Sequence, residues 1–358
     1  MHAVLLTGHG GYEMLDYRTD VPVPQPKPGE VLIRVAAAAI NNTDINTRTG
    51  WYSKAVTEGS NAGGAAGYAR VDDADAAWSG TALAFPRIQG ADCCGHIVGV
   101  GEGVDAARIG ERVILRNMLR SPVGWRPWEC WTFGSECDGG FAQYAVAPAR
   151  ESYAVRCDWT DAELAAIPCA WSTAENMLHR ANVGAETVLI TGASGGVGSS
   201  AVQLAKLRGA TVIALAGKAK AAEVLALGAD RVIDRDADLM AELGEASVDV
   251  VLDLVGGPGW PQLLDVLRRG GRYAISGAIA GPLAQIDLRT LYLKDLTLYG
   301  ATFQDDEVFE NLVSYIEAGR IRPVVARTYP LSEIVQAQKD FLEKGHVGKL
   351  VLIPPQDE

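Results

Sequence analysis

Cysteine is scarce in this chain. Six are scattered over 358 residues, and with no export signal ahead of them they are expected to be reduced thiols. The opening "MHAVLLTGHGGYEMLDYR" lacks a basic leader segment and its apolar run breaks at Gly8 and Gly10, so a cytoplasmic location is the expectation. No apolar run approaches the length that spans a bilayer, which leaves no membrane partner. Positive charge is short as well: 32 Lys and Arg stand against 44 Asp and Glu, a net charge of −12. A general nucleic-acid binder needs a basic face for the phosphate backbone, so that class is excluded. Internal repeats and low-complexity linkers are absent from the sequence.

What is present is an ordinary globular composition, 48% hydrophobic and 21% charged, in a chain long enough for two cores. The first stretch reads as β-rich, with "HAVLLTG", "GEVLIRVAAAAI", "GHIVGVG" and "GERVILR" punctuated by Gly, Pro and Asp. Residues 53–86 carry little periodicity and read as a surface excursion beside the functional cleft. A second irregular stretch holds Trp125, Trp128 and Trp131, expected as the packing of a lobe. From about Thr160 short apolar strands alternate with helices, the pattern of a parallel, doubly wound α/β sheet. The tail from Thr328 to Ile353 holds a helix and a final strand expected to rejoin the first unit. The expected divisions are 1–159, 160–302 and 303–358.

The strongest chemical signal is "VLITGASGGVGSSAVQLAKLRGA". A strand ends near Thr191, a Gly-rich turn follows, and a helix starts near Val197. Ser194, Gly195, Gly196 and Val197 form the turn that meets a pyrophosphate, while Gly198 lets the helix lie close on the strand. An NAD-specific loop places a carboxylate at the end of the second strand; this chain has Ala216, then Gly217, Lys218 and Lys220. Without that carboxylate nothing repels a 2′-phosphate, so the expected cofactor is NADP(H).

The stretches "AINNTDINTRTGWY", "GADCCGHIVGVGEGV", "GGFAQYAV", "TGASGGVGSSAVQLAK", "VLDLVGG", "GGRYAISGAIAG", "LYLKDLTLYGAT" and "GHVGKLVL" run nearly end to end. They resemble the medium-chain dehydrogenase/reductase superfamily, and within it the zinc-independent quinone oxidoreductase-like branch. The resemblance implies a GroES-like β unit that holds substrate, a Rossmann unit that holds a nicotinamide cofactor, and a cleft between them. In zinc-dependent members of this family a Gly-His-Glu motif and a turn Cys supply metal ligands. Here the matching positions are Gly90, Ala91, Asp92 and Asn41, and Cys169 alone is retained. One thiol, with or without Asp92, falls short of a catalytic zinc set. Cys93 and Cys94 alternate along a strand and face opposite ways, as buried thiols do. The four-cysteine lobe of the family is reduced to Cys130 and Cys137, so no metal is expected there either.

Without a Lewis-acid metal, alcohol oxidation loses its usual route to an alkoxide. Hydride transfer to a quinone or an α,β-unsaturated carbonyl needs only polarisation of the oxygen and a proton. The family supplies such groups from the "NNTD" turn and the aromatics after it, which carries catalytic roles to Asn41, Asp44 and Tyr52. The same residue types also cap turns, start helices and pack cores. By the same resemblance Thr173, Arg235, Val255, Ser276, Gly277, Ala278 and Lys349 join the cofactor set, and subunits pair into a homodimer through "KDLTLYGAT". Two other readings stand beside the reductase: a catalytically silent NADPH-binding protein, and an alcohol dehydrogenase with an atypical zinc site.

Overall fold

Alternation places one face of each N-terminal strand in a core. In β1 (Glu30–Ala39), Val31, Ile33 and Val35 are fully buried. A short helix, α1 (Asn42–Thr49), follows; then β2 (Cys94–Val100), β3 (Arg112–Leu115), β4 (Tyr144–Pro148) and β5 (Ser152–Ala154) join β1 in an antiparallel arrangement. The computed structural model describes residues 1–356. Cys93 and Cys94 do point to different cores: Cys93 into this unit's own, Cys94 into the one shared with the second unit. Residues 53–86 contain turns without strand or helix. They are tied back by Ser53 Oγ, which accepts from Asp72 N at 3.0 Å, and across to the second unit by Ser60 N donating to Ile279 O at 3.1 Å.

Continuous apolar runs build the second unit, as expected of strands covered on both faces. After α2 (Ala170–Arg180) come β6 (Thr187–Ile190), α3 (Gly196–Leu207), β7 (Thr211–Ala216), β8 (Arg231–Asp234), β9 (Val248–Asp253), β10 (Leu267–Ile275), α4 (Leu288–Leu293) and β11 (Thr297–Gly300). All six strands are parallel, in the order β8-β7-β6-β9-β10-β11. The order changes direction between β6 and β9, and such a switch opens a crevice at the carboxyl ends of the strands.

The tail divides. Helix α5 (Asp306–Glu317) buries Phe309, Leu312 and Ile316 in the core that holds α2 and the parallel sheet. Beyond it, β12 (Val325–Pro330), α6 (Ile334–Glu343) and β13 (Lys349–Ile353) return to the first unit. β13 lies between β1, antiparallel through Val351 and Ala39, and β12, which it follows in parallel. Among the described residues no helix is long and apolar enough to cross a membrane.

Candidate active site

The Gly-rich turn sits at the mouth of the crevice. A Cβ on Gly198 would lie 2.2 Å from the carbonyl oxygen of Gly192, so only glycine lets α3 pack this tightly on the turn. The first N–H groups of α3, at Gly196, Val197 and Gly198, have no carbonyl inside the helix to accept them and carry the positive end of its dipole. That is an anion cradle of the kind a pyrophosphate uses. Ser194 O accepts from Gly348 N at 3.2 Å, and a Cβ on Gly196 would lie 2.8 Å from Lys349 Cδ, so the returning tail packs directly on this turn.

At the end of β7, Ala216 is buried, Gly217 turns the chain, and Lys218 is exposed. Arg235 anchors by its backbone N–H to Ala216 O at 3.1 Å and leaves its side chain 70% exposed. Lys220 is placed otherwise. Its ammonium donates to the carbonyls of Lys344 and His346, the latter at 2.8 Å, and burial pushes its pKa down. The sequence groups Lys218 and Lys220 at one phosphate, whereas the structure turns Lys220 toward the tail. On the other side of the crevice, Val255 and Ser276 to Ala278 follow the ends of β9 and β10. Ser276 Oγ donates to Ala301 O at 3.0 Å, and a Cβ on Gly277 would meet Leu254 O at 2.6 Å. Thr173, on α2, donates to Cys169 O at 2.8 Å.

Four distant segments meet at the second half of the site. Asn41, two residues past β1, has extended backbone and is the N-cap of α1. Asp44 is therefore not the cap but the third helical residue, its carboxylate accepting from Asn41 N at 2.7 Å and Ala91 N at 3.1 Å. Asp92, fully buried just before β2, accepts from Asn41 Nδ2 at 2.8 Å and from Cys169 N at 2.7 Å. Lys349, the first residue of β13, brings its ammonium 3.1 Å from Asp92 and donates to Asn41 Oδ1. The cation of this cluster is thus an ammonium. Burial drives the Asp44 carboxyl up to about 7, with the Asp92 charge adding to the rise while Lys349 and the two backbone N–H groups oppose it. Burial and the same carboxylates hold the Cys169 thiol well above its ordinary value.

Tyr52, just past α1, is part-exposed and donates to Thr43 Oγ1 at 2.9 Å; burial keeps its hydroxyl protonated far above neutral pH. Asn41 and Asp44, 6% and 2% exposed, are more deeply buried than it. The structure thus brings Asn41, Asp44 and Tyr52 together, and Lys349, whose stem packs on Gly196 of the cofactor turn, extends its ammonium into their company. Asp92 is the member that sequence reasoning left outside the site. Its signal was a lone charge inside the apolar "GADCCGHIV" run, where an unpaired carboxylate is costly.

A zinc ion implied by the wider family does not fit these donors. Asn41 and Ala91 offer no thiolate or imidazole, and Lys349 sets its ammonium against Asp92. Among the described residues no three His, Cys, Asp or Glu side chains converge on a metal position.

An anion cradle on a switch-point crevice, facing a buried polar cluster on a second β unit, defines a two-domain dinucleotide-binding protein. Residues 27–156 match the family model described as "Alcohol dehydrogenase GroES-like domain", and 196–318 that described as "Zinc-binding dehydrogenase". Acryloyl-coenzyme A reductase from Metallosphaera sedula is 32% identical over 366 residues, covering 98% of this chain and 99% of the relative. Quinone oxidoreductase from Lama guanicoe is 30% identical, covering 99% and 97%. Among solved structures, a putative alcohol dehydrogenase from Sinorhizobium meliloti 1021 superposes with a TM-score of 0.87 at 48% identity, covering 99% of this chain and 97% of that one. A thermostable alcohol dehydrogenase from Pyrobaculum aerophilum with cobalt and zinc bound gives 0.79 at 32% identity, covering 99% of both. The chain belongs to the medium-chain dehydrogenase/reductase superfamily, in its quinone oxidoreductase-like branch. It is an oxidoreductase with a nicotinamide dinucleotide cofactor.

Proposed function

We propose that the protein is an NADPH-dependent reductase of quinones or α,β-unsaturated carbonyl compounds that works without catalytic zinc, as a homodimer. The observation that carries this reading is the Lys349 ammonium seated between Asn41 and Asp92, a fixed positive charge where zinc-dependent relatives keep metal ligands. The names of the relatives, acryloyl-coenzyme A reductase and quinone oxidoreductase, support an electron-poor alkene or quinone as acceptor.

The nicotinamide supplies a hydride when bound. The chain's own residues do the rest: the first turn of α3 holds the pyrophosphate, and Val255 with Ser276, Gly277 and Ala278 bounds the nicotinamide pocket beside Thr173. Tyr52 keeps its proton at neutral pH and, turning its hydroxyl from Thr43, donates it to the substrate oxygen. Asn41, Asp92 and Lys349 hold that wall rigid and polarised from behind. Asp44 fixes the start of α1, on which Thr43 and Tyr52 depend. The test is cofactor oxidation with quinones, enones, enoyl thioesters and aldehydes, before and after chelation. Turnover of the first three classes that survives chelation is expected. Turnover of aldehydes alone, lost with a removed zinc, overturns the reading.

Cofactor choice rests on Ala216 with Lys218 and Arg235. Each charge-assisted contact to a 2′-phosphate is worth about 1.5 to 3 kcal/mol. Lys218→Ala and Arg235→Ala should each raise the Kd for NADPH roughly tenfold or more, and leave NADH binding nearly unchanged. Equal weakening of both cofactors in a fluorescence titration contradicts the assignment.

Pairing of subunits is supported by β11, the edge strand of the parallel sheet. Leu283, Leu288, Tyr292, Leu293 and Leu298 around it are 68%, 63%, 63%, 55% and 39% exposed, a large apolar group for a free surface. An unpaired edge of this kind invites a second copy. Leu298→Pro removes an N–H that faces the open edge, since Ala301 N, three positions on, donates inward to Ile275 O, and should shift the protein from dimer to monomer in light scattering. An unaltered protein that is already monomeric would sink the idea.

A further inference from the structure

A second cavity, of about 550 Å³, lies where the Trp-rich lobe, the 53–86 excursion and the chain after β11 converge. Its aromatic walls are Trp78, Trp128, Trp131 and Phe303, and its cations are Arg126 and Arg180. Trp128 is 70% exposed and held at φ 65°, a left-handed backbone that a bulky residue adopts only at a cost. Its ring packs 5.2 Å from that of Phe303, and the Arg180 guanidinium lies 4.9 Å over it. Arg180 is fixed there by donating to Phe303 O at 2.7 Å. Arg126 donates to Val123 O at 3.0 Å and pairs with Glu129 at 2.8 Å, leaving the cavity with more positive than negative charge on a chain of net −12.

Ring faces beside guanidinium groups suit a planar aromatic ligand that carries negative charge, such as a nucleobase with its phosphates. Position narrows the ligand further. Cys169, beside the catalytic cluster, precedes the first residue of α2, and Arg180 is its last. Eleven helical residues span about 16 Å, so no simple quinone or enone reaches both ends.

We infer that this cavity binds the nucleotide handle of a long substrate, an α,β-unsaturated acyl thioester of coenzyme A, whose reactive end lies at Tyr52. The inference rests on the enone-reductase reading and names its substrate class. Shared aromatic and anionic chemistry could also draw a free nucleotide, which the experiment separates.

The full chain is assayed with NADPH against acryloyl-coenzyme A and against methyl vinyl ketone, a small acceptor with the same reactive group. Trp128→Ala and Arg126→Ala, both on the exposed lobe, should raise KM for the thioester at least tenfold with kcat within twofold, and leave the ketone's constants unchanged. Coenzyme A alone should quench tryptophan fluorescence in the unaltered protein and not in Trp128→Ala, whereas ATP should quench at least tenfold more weakly. Equal thioester kinetics in variants and parent overturn the inference, as does an equal loss for both substrates. ATP binding as tight as coenzyme A makes the cavity a free-nucleotide site and overturns it too. Loss of dimer in Trp128→Ala with unchanged KM makes it a subunit contact. If neither acceptor is reduced, the enone reading fails, and the coenzyme A titration still decides this cavity.

Discussion

Lys349→Met should destabilise the fold by about 3–5 kcal/mol, and Lys349→Met combined with Asp92→Asn should recover most of that loss. The Lys349 side chain is 4% exposed and Asp92 is fully buried. Met preserves most of the stem's volume, so the single change removes chiefly the ammonium. It leaves a carboxylate in a protein interior with no cation, and breaking a buried pair from one side costs on this scale. Removing both charges avoids that penalty, although Asn41 Oδ1 still loses its donor. Urea unfolding of the two singles and the double at neutral pH gives the coupling energy directly. If the double variant is as unstable as the sum of the singles, the two groups do not act as a pair and the site's electrostatic account is wrong. Activity should stay low in all three, because Asn41 and the wall behind Tyr52 lose their anchor.

The second large effect is a pH dependence set by Asp44. Its folded pKa, about 7, stands above the ordinary 3.8, so folding binds a proton that the unfolded chain releases. The stabilising contribution of the protonated form is complete below about pH 4 and disappears as pH rises through 7. In between, stability attributable to this group falls by up to about 1.4 kcal/mol per pH unit. Lowered carboxylates such as Asp230 and Asp306 run the other way and lose stability in acid, which is why the comparison is made between variants. Asp44→Asn should be less stable than the parent at pH 5, where it gives up an acceptor for a backbone N–H, and the gap should narrow by pH 8. Parallel stability curves from pH 4 to 8 would falsify the assignment. The kcat/KM profile should likewise lose its limb near pH 7 in the variant.

The dinucleotide half of the site was legible because its chemistry is local. Strand, glycine turn, helix and second strand lie within one short stretch, and the close approach at Gly198 depends on Gly192, six positions earlier. The alternation of Cys93 and Cys94 was legible for the same reason. Asn41 and Lys349 are 308 positions apart, and nothing in either neighbourhood announces the other. Their meeting depends on β13 entering the first sheet beside β1. Lys220 was misplaced for a related reason: its partners are carbonyls of the tail, and carbonyls carry no sequence signature. The aromatic cavity draws on four separate segments, none of which has a periodicity that points at the others.

The insertion of β13 between β1 and β12 also orders the birth of the molecule. The parallel sheet is made from one uninterrupted run of chain, with neighbours close in sequence, and it can close while the rest is still being synthesised. The first sheet cannot. Its strands from β1 to β5 emerge early and then wait, the Ala38–Ala39 end of β1 unpaired on the flank that β4 covers further back, for a strand that is made long after them. Because Lys349 heads that strand, the same event that seals the sheet delivers the charge Asp92 requires. The pairing of Asn41, Asp92 and Lys349 and the closing of the first sheet therefore come together.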